Sequence, residues 1–552
     1  MKKLLSILTL TSALSFGQNP LLIPPTIESS SVQLALQEGT TQFYPGITTA
    51  TMGANGSLLG PTLIFNQGDN VSIAVNNQLT EPTTIHWHGM HVPSMADGGP
   101  HTVILAGDTW TPQFTVLDRA GINWYHPHLH MQTNKHVSRG IAGLILVKDP
   151  EEAALVLPRD YGIDDFPMVL QTKGFDGLGQ IEWMSHMDTS VMVNGTVDPI
   201  LETPAQVVRF RILNGSSQRV YELGLSNNQA FQLIGTDGGL LTAPVQLTRY
   251  RMAPGQRADV LVDLSGLQGQ TIQWMSYGSE LPSAIYGAAQ PGMMAGLTLP
   301  GYASNVLNGS DFVLLDLTVV APTAMPITTI PSVLSSMTPL LAGTENTTRN
   351  LTFTTQQNIV GPFLINGAGF DMNVINYTIP LGNREIWSLT NQTPIAHPFH
   401  IHDVQFYILD INGVAPPPAL QGLNDVVLVP AGMGNVRFIT EFLDFADDEV
   451  PYMYHCHMLQ HEDEGMMGQF IVYDPLGLEE ATENRWSVYP NPSNTGSFTL
   501  NSEGQSGEFQ VTDALGRKIM HGNTTGENTS FTLTSGNYLL HFLGAVKWIS
   551  VR

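Results

Sequence analysis

The stretch GDNVSIAVNNQ, residues 68–78, alternates apolar and polar side chains and closes on a pair of asparagines. Val71, Ile73 and Val75 share one face of such a segment, because successive side chains of a strand point to opposite faces. An alternating run that ends at asparagine predicts a half-buried strand of a β-sandwich, followed by a turn.

The same pattern returns twice, as AQVVRFRILNGS at residues 205–216 and as GNREIWSLTNQ at residues 382–392. Measured between the closing asparagines, the copies lie 137 and 177 residues apart. That spacing is the size of one β-sandwich domain with insertions. The alternative is a chance likeness of unrelated strands that share an asparagine turn. Three sequential sandwiches are the prediction, at residues 30–150, 160–320 and 345–475.

Composition points the same way. Only 12% of the 552 residues are charged, and the chain holds 53 glycines and 36 prolines. Such a composition favours many short strands and turns, so the predicted fold class is all-β. The formal net charge of −25 argues against nucleic acid or an anionic membrane as a partner, since phosphates demand Lys and Arg.

The two ends of the chain have a different character. Lys2 and Lys3 precede a short apolar run that ends at Phe16, which predicts a signal peptide over residues 1–17 and export; a buried N-terminal helix is the alternative. No later stretch approaches 18 uninterrupted apolar residues, so no transmembrane segment is expected. Past Tyr473 a linker with Asn and Pro around Pro490 precedes one small β-unit, at residues 484–552.

Ten of the 17 histidines fall into four tight clusters. Histidines at positions i and i+2 of a strand point both imidazoles to one face. In His455-Cys456-His457 the two imidazoles therefore share a face, and the thiol points the other way. One strand can then contact two metal sites. The clusters are His86/His88, His126/His128, His397/His400/His402 and His455/His457/His461.

Cys456 is the only cysteine, so an internal disulfide is excluded. It is either a small buried hydrophobe or a metal ligand. His461 and Met466 follow at loop spacing, and with His397 they form the two-His, one-Cys, weak-Met set of a blue-copper centre. Zinc would favour more thiolates, or three ligands and a water. The other eight histidines are too many for one ion and suit three coppers; satisfied core or surface histidines are the alternative.

Four motifs, HWHG, WYHPH, HPFHIH and HCHMLQHEDEGMM, resemble the copper-binding signatures of the multicopper oxidases. The resemblance extends over about residues 60–474, and is greatest to three-domain bacterial laccases, cuprous oxidases and bilirubin oxidases. It implies cupredoxin-like Greek-key sandwiches, and four copper ions as cofactors. The implied ligands are His397, Cys456, His461 and axial Met466 for type 1; His86 and His400 for type 2; and His88, His126 and His457 with His128, His402 and His455 for the type 3 pair.

The resemblance also implies a reaction in which small-molecule donors give single electrons and dioxygen is reduced to two waters. Glu462 matches the family's acid on the dioxygen-side proton path, and Asp97 matches the acid beside the type 2 site. A carboxylate near metal ions can relay protons when its pKa lies in a useful range. The alternatives are a turn residue before Gly98 for Asp97 and a solvated acidic surface for Glu462.

The donor is less well indicated. Cuprous oxidases carry a methionine-rich insertion, but between residues 322 and 350 this chain has only Met325 and Met337. They also place an Asp and a Met where this chain has Thr393 and Ile395. A laccase-like oxidase of phenols is therefore the prediction, as a monomer. The alternatives are a cuprous oxidase for copper detoxification, a bilirubin-oxidase-like enzyme, and a non-catalytic copper-binding electron carrier.

The tail has its own resemblance. YPNPSNTGSFTL, GNYLL and a basic KWISVR ending are similar to the C-terminal sorting domain of type IX secretion. This likeness implies the type IX machinery as a partner and a secreted or cell-surface location, with the periplasm as a transit compartment. An ordinary small β accessory module is the alternative.

Overall fold

A computed structural model describes residues 19–475, 486–502, 504–513, 516–526, 528–543 and 545–552. The predicted signal peptide lies outside these ranges. The chain divides into two compact units, Met1–Tyr473 and Asp474–Arg552.

Strands dominate the described chain, as the composition predicts. Across these ranges the structure has no helix that is both long and apolar enough to cross a membrane. The helices are short, namely the α-helices Ser94–Asp97, Thr133–Arg139, Pro150–Ala153 and Leu459–Asp463, and the 3-10 helices Gly278–Glu280, Tyr302–Ser304 and Pro418–Leu420.

Two five-stranded sheets form what we call the first sandwich. In order across the sheet, one has Thr26–Glu28, Thr62–Asn66, Gly143–Lys148, Gly121–His126 and His86–His88. The other has Ile47–Ala54, Ser31–Tyr44, Asn70–Asn77 and Thr109–Trp110, with Gln113–Thr115 also paired to Asn70–Asn77.

The middle sandwich has a six-stranded and a seven-stranded sheet. The six strands are Asn19–Pro20, Pro199–Pro204, Asp311–Val320, Thr271–Tyr277, Tyr221–Leu225 and Tyr250–Met252. The seven are Thr196–Val197, Ser190–Val193, Asp165–Lys173, Val207–Asn214, Arg257–Asp263, Phe231–Thr236 and Gly239–Leu247.

The third sandwich again has two five-stranded sheets. One orders Phe363–Ile365, Thr347–Thr355, Asn383–Asn391, Gly434–Phe442 and Phe406–Ile411. The other orders Tyr377–Pro380, Met467–Tyr473, Asp447–Cys456, His397–Ile401 and Val426–Val429.

The tail unit has its own two sheets. Three strands, Ser487–Tyr489, Ser497–Asn501 and Thr529–Thr532, form one sheet. Four strands form the other, in the order Lys518–Thr525, Ser506–Asp513, Gly536–Phe542 and Ala545–Val551.

The repeated sequence pattern corresponds to a repeated pairing. Each copy is a strand that pairs in parallel with a strand preceding it in the same sandwich, which places all three at equivalent positions. The pairs are Asn70–Asn77 with Ser31–Tyr44, Val207–Asn214 with Asp165–Lys173, and Asn383–Asn391 with Thr347–Thr355.

The closing asparagines Asn77, Asn214 and Asn391 have one role in common. Each is fully buried, and each side-chain amide donates to two backbone carbonyls. Each side-chain oxygen accepts the backbone N–H two residues further on, which is the Asx-turn geometry. Because all three make the same three bonds, the likeness is a structural repeat rather than a chance turn.

The four largest hydrophobic cores of the described residues each contain a buried tryptophan. Trp87 belongs to the core of the first sandwich, Trp274 to the middle one, Trp387 to the third and Trp486 to the tail. The large apolar area of an indole makes it a natural centre for such a core. The core of the third sandwich also includes Tyr286, Leu299 and Tyr302, from the segment between the strands Thr271–Tyr277 and Asp311–Val320 of the middle sandwich.

Candidate metal centre

A thiol pocket lies inside the third sandwich. His397 begins the strand His397–Ile401, Cys456 ends the neighbouring strand, and His461 lies on the short helix after it. The Cys456 Sγ is 3.5 Å from His397 Nδ1 and 3.6 Å from His461 Nδ1. His397 Nε2 lies 2.8 Å from the Thr393 hydroxyl oxygen. That hydroxyl donates to the Ile395 carbonyl, so His397 donates from Nε2 and keeps its Nδ1 lone pair for the pocket.

Met466 and Met467 differ in their surroundings. Met466 is fully buried in the same core as Cys456. Its carbonyl accepts the Cys456 N–H at 3.0 Å, and its N–H donates to the His461 carbonyl at 2.8 Å. Met467 instead begins a strand and lies opposite His455. Met466 is therefore the thioether whose backbone is tied to both the thiol and the second imidazole.

Burial sets the protonation of the thiol pocket. It raises the pKa of the Cys456 thiol above its usual range and lowers the pKa of His461 to about 3. A neutral imidazole already offers a lone pair to a metal ion. A protonated thiol does not, so a metal ion that binds Cys456 must first displace its proton. The pocket is thus arranged for a cation and not for a free thiolate nucleophile.

A second group, the histidine cluster, contains the remaining eight predicted ligands. One antiparallel pairing within the first sandwich and one within the third arrange them in two groups, and imidazole contacts join the two groups. His126 lies opposite His86 in one sheet, and His455 lies opposite His400 in the other. The cluster, whose members are all at most 1% exposed, consists of His86, His88, His126, His128, His400, His402, His455 and His457.

Six of these imidazoles form two triads. His88 Nδ1 lies 3.4 Å from His126 Nε2 and 3.2 Å from His457 Nε2. His455 Nε2 lies 3.1 Å from His128 Nε2 and 3.4 Å from His402 Nε2. Burial lowers the pKa of His128 to about 4 and that of His457 to about 3. Both imidazoles are therefore neutral near pH 7, and each can offer a lone pair to a metal ion.

His86 and His400 provide the test of whether a metal fits. Each donates from Nδ1 to a backbone carbonyl, that of Asp97 at 3.0 Å and that of Asp425 at 2.9 Å. Each Nε2 is buried without a hydrogen-bond partner among the described residues. Leaving a polar atom so is costly unless something else binds it. Two orphaned lone pairs beside two imidazole triads fit metal ions well, and nitrogen ligands suit copper.

The two carboxylates that the sequence analysis singled out both border the cluster. Asp97 accepts from His402 Nδ1 at 2.8 Å, while its carbonyl accepts from His86. Glu462 places its two oxygens 3.4 Å from His128 Nδ1 and 3.2 Å from His455 Nδ1. Burial acts to raise the pKa of Glu462, but His128 and His455 outweigh it and lower the pKa overall. Glu462 is fully buried, so it is not part of a solvated acidic surface.

The thiol pocket and the cluster share one short segment. Cys456 contributes to the pocket, while His455 and His457 on either side of it belong to different triads. The alternation expected for a strand therefore places the only thiol and two cluster imidazoles on opposite sides of one backbone.

Comparison with known protein families agrees with this arrangement. Family models described as multicopper oxidase match residues 35–152, 161–284 and 338–475. The multicopper oxidase mco of Staphylococcus haemolyticus is 33% identical over 476 residues, which cover 83% of this chain and 93% of that protein.

The chain belongs to the multicopper oxidase family. Its all-β cupredoxin-like fold and its assignment as an oxidoreductase are thereby confirmed. Membership implies copper binding, which the buried histidine and cysteine groups fit.

Two further relatives of this oxidase show the range of the family. The cell division protein FtsP of Sodalis glossinidius is 34% identical over 459 residues, covering 82% of this chain and 91% of that protein. The solved structure of a laccase-like multi-copper oxidase, CueO from the lignin-degrading bacterium Ochrobactrum sp., matches with a TM-score of 0.72 and 34% identity, covering 82% of this chain and all of that one.

A model for a secretion system C-terminal sorting domain matches residues 487–549, which confirms the resemblance of the tail and indicates export.

Two residues beside the cluster were missed by sequence reasoning. Asp425 contacts His88 and, through its carbonyl, His400, and Arg257 of the middle sandwich contacts Asp425. Arg257 lies within APGQRADVLVD, residues 253–263. The available signal was an arginine directly before the largely apolar run at residues 258–262, since a buried charge needs a partner.

Proposed function

We propose that this chain is an exported, monomeric, laccase-like oxidase that couples four one-electron oxidations of phenolic donors to the reduction of dioxygen to two waters. Four coppers would be held by the residues of the thiol pocket and the cluster. Bound there, copper would supply one-electron transfer chemistry at the thiol pocket and dioxygen-reducing chemistry at the cluster.

The observation that supports this proposal is the cavity beside His461. It has a volume of about 380 Å³ and is lined by Leu299, Pro300, Ile359, Val360 and Gln460 together with Met184, Ser185 and His186. Among the described residues that line it, none is an acid, a lysine or an arginine. His461 is 7% exposed and forms part of the wall. A cavity whose wall mixes apolar and neutral polar side chains suits an uncharged aromatic ring, whereas hydrated metal ions favour carboxylates.

The chain's own residues would divide the work. His461, which is 7% exposed, would be the side chain that a donor approaches, and the peptide of Cys456 is the covalent link to His455 and His457. Glu462 lies beside His128 and His455 and would hold and pass a proton on that side of the cluster. Asp97 would orient His86 and His402 from the other side.

One observation favours a second candidate, the cuprous oxidase. The Met184 thioether is half exposed and the His186 imidazole lies in the same wall, and both are ligand types that suit Cu(I). Against it, Thr393 and Ile395 are buried, so the acid and thioether of cuprous oxidases have no surface equivalent here. A non-catalytic electron carrier would have no use for the eight buried cluster histidines.

Oxygen uptake separates these candidates. The copper-loaded protein should consume dioxygen with a phenol faster than with Cu(I) or bilirubin, and Met184→Leu, which keeps an apolar side chain in the cavity wall, should lower the phenol rate less than the Cu(I) rate. Faster uptake with Cu(I), lost in Met184→Leu, would establish the cuprous oxidase instead. If the copper-loaded protein consumed no dioxygen with any of the three donors, the result would favour the electron carrier.

The tail match supports export by the type IX machinery. We propose that residues 1–17 direct the chain to the periplasm and that the tail directs it onward to the cell surface or the medium.

A further inference from the structure

Arg257 is a buried cation of the middle sandwich that reaches the other two sandwiches. Its side chain is fully buried, and its terminal nitrogens donate to both carboxylate oxygens of Asp425, in the third sandwich. Its Nε donates at 2.8 Å to the carbonyl of Ile122, in the first. Another terminal N–H donates to the Asp237 carbonyl at 3.0 Å. The planar fork of a guanidinium can make all these bonds together, which an ammonium cannot.

Asp425 is where this network meets the cluster. Its Oδ1 lies 3.2 Å from His88 Nε2, and its carbonyl accepts from His400 Nδ1. Since this carboxylate is paired with Arg257 and accepts hydrogen bonds, His88 carries its proton on Nε2. The lone pair of His88 is then on Nδ1, the nitrogen that faces His126 and His457. The other seven cluster histidines instead present Nε2.

Gly89, of the HWHG motif, packs directly against the Arg257–Asp425 pair. Its φ is +90°, and a Cβ there would lie 2.4 Å from an Arg257 terminal nitrogen and 2.9 Å from Asp425 Oδ2. Any other residue would push the guanidinium away from the carboxylate, in addition to straining the backbone. The residue that follows His88 therefore has to be glycine for the Arg257 guanidinium to reach Asp425.

We infer that Arg257 is a positioning residue for the histidine cluster. It holds Asp425, which in turn fixes the tautomer and orientation of His88 and the carbonyl that orients His400. The middle sandwich, which supplies no residue of the proposed ligand set, thereby sets the geometry of a cluster built by the other two. This inference rests on the proposed function only in taking the cluster as a copper site.

The test compares two buried arginines of the middle sandwich. Arg257→Lys keeps the charge but loses the fork. Arg209→Lys is the matched control, because Arg209 is equally buried and forks onto Asp259 while also contacting Glu152, with no contact to a cluster histidine. Thermal unfolding of both variants calibrates their general loss of stability.

The readouts are copper content, the electron paramagnetic resonance signal of the type 2 copper, the near-ultraviolet band of the coupled pair and the blue absorption of the thiol pocket. In Arg257→Lys we expect cluster copper affinity to fall by about 10- to 100-fold, with an altered cluster spectrum and an unchanged blue band. Arg209→Lys should keep all four signals.

Asp425→Asn is the second variant, and it retains a side-chain acceptor for His88 while removing the charge that Arg257 holds. It should weaken the same cluster signals even if Arg257→Lys does not fold. Wild-type cluster spectra and copper affinity in Asp425→Asn, or an equal loss in Arg209→Lys, would overturn the inference. The cluster spectra do not depend on which donor the protein oxidises. A protein that failed to oxidise phenols would therefore contradict the proposed donor and not the role of Arg257.

Discussion

The thiol pocket and the histidine cluster differ in how much of the chain builds them. His397, Cys456, His461 and Met466 all belong to the third sandwich, and two adjacent strands and one short helix bring them together. The cluster needs strands of the first and third sandwiches, and Asp425 ties it to Arg257 in the middle one. A site within one sandwich can form when that sandwich folds, whereas a site between sandwiches also depends on their docking. The two sites should therefore be separable by mutation.

They differ in charge as well. Carboxylates lie against the cluster from three directions, as Asp97, Glu462 and Asp425. Among the described residues, no carboxylate makes a hydrogen bond or ion pair with His397 or His461. We therefore expect proton transfer at the cluster and electron entry at the thiol pocket, beside which the cavity wall carries no charged side chain among the described residues.

Cys456→Ser tests the separation with the largest expected effect. Because Cys456 is the only cysteine, the change should abolish the blue absorption and the oxidation of donors completely. Copper at the cluster should remain, because its histidine ligands are intact. Absorption spectra and copper analysis check this, and a serine variant that is still blue would show that the thiol pocket is wrongly assigned.

Glu462→Gln should affect the cluster alone. The amide cannot relay a proton, so reoxidation by dioxygen should slow by about 10²-fold or more, while a phenol reduces the thiol pocket at the normal rate. Stopped-flow traces of the two half-reactions measure this. The exposed neighbour Glu464, changed to Gln, is the control and should behave as wild type. Equal reoxidation rates for both variants would remove Glu462 from the proton path.

Met466→Leu should produce a smaller change confined to the thiol pocket. Loss of a weak thioether contact favours the reduced metal, so the reduction potential should rise and copper should bind less tightly there. Met467→Leu is the matched control. A redox titration compares the two, and a shift in Met467→Leu alone would transfer the axial role to that residue.

Removal of the tail should have the smallest effect on chemistry. A chain that ends at Asp474 keeps both sites, since these lie within the unit Met1–Tyr473. Donor oxidation should be unchanged after copper loading, while in the native host the protein should accumulate in the periplasm. Normal secretion of the shortened chain would exclude a sorting role for the tail.

Local patterns in the sequence determined much of this protein. Alternation in three copies is enough to place three equivalent strands, although the prediction of a half-buried strand is wrong for Val207–Asn214, which is buried on both faces. Histidines at i and i+2 are enough to place paired imidazoles on one face. The position of Cys456 between His455 and His457 similarly requires that the thiol point away from them. These features follow from the period of a strand, which neighbouring residues alone establish.

Other features were decided only in the folded chain. The cavity beside His461 is assembled from loops near residues 184, 300 and 360 and from the short helix Leu459–Asp463. The bond of Arg257 to Asp425 joins residues 168 positions apart. The sequence alone indicated that eight histidines suit one cluster, but family likeness was needed to sort them into groups, and the tautomer of His88 came from its contact with Asp425. Periodicity specifies which face a side chain occupies, but the partner across that face depends on how separate sandwiches dock, and no local pattern encodes that.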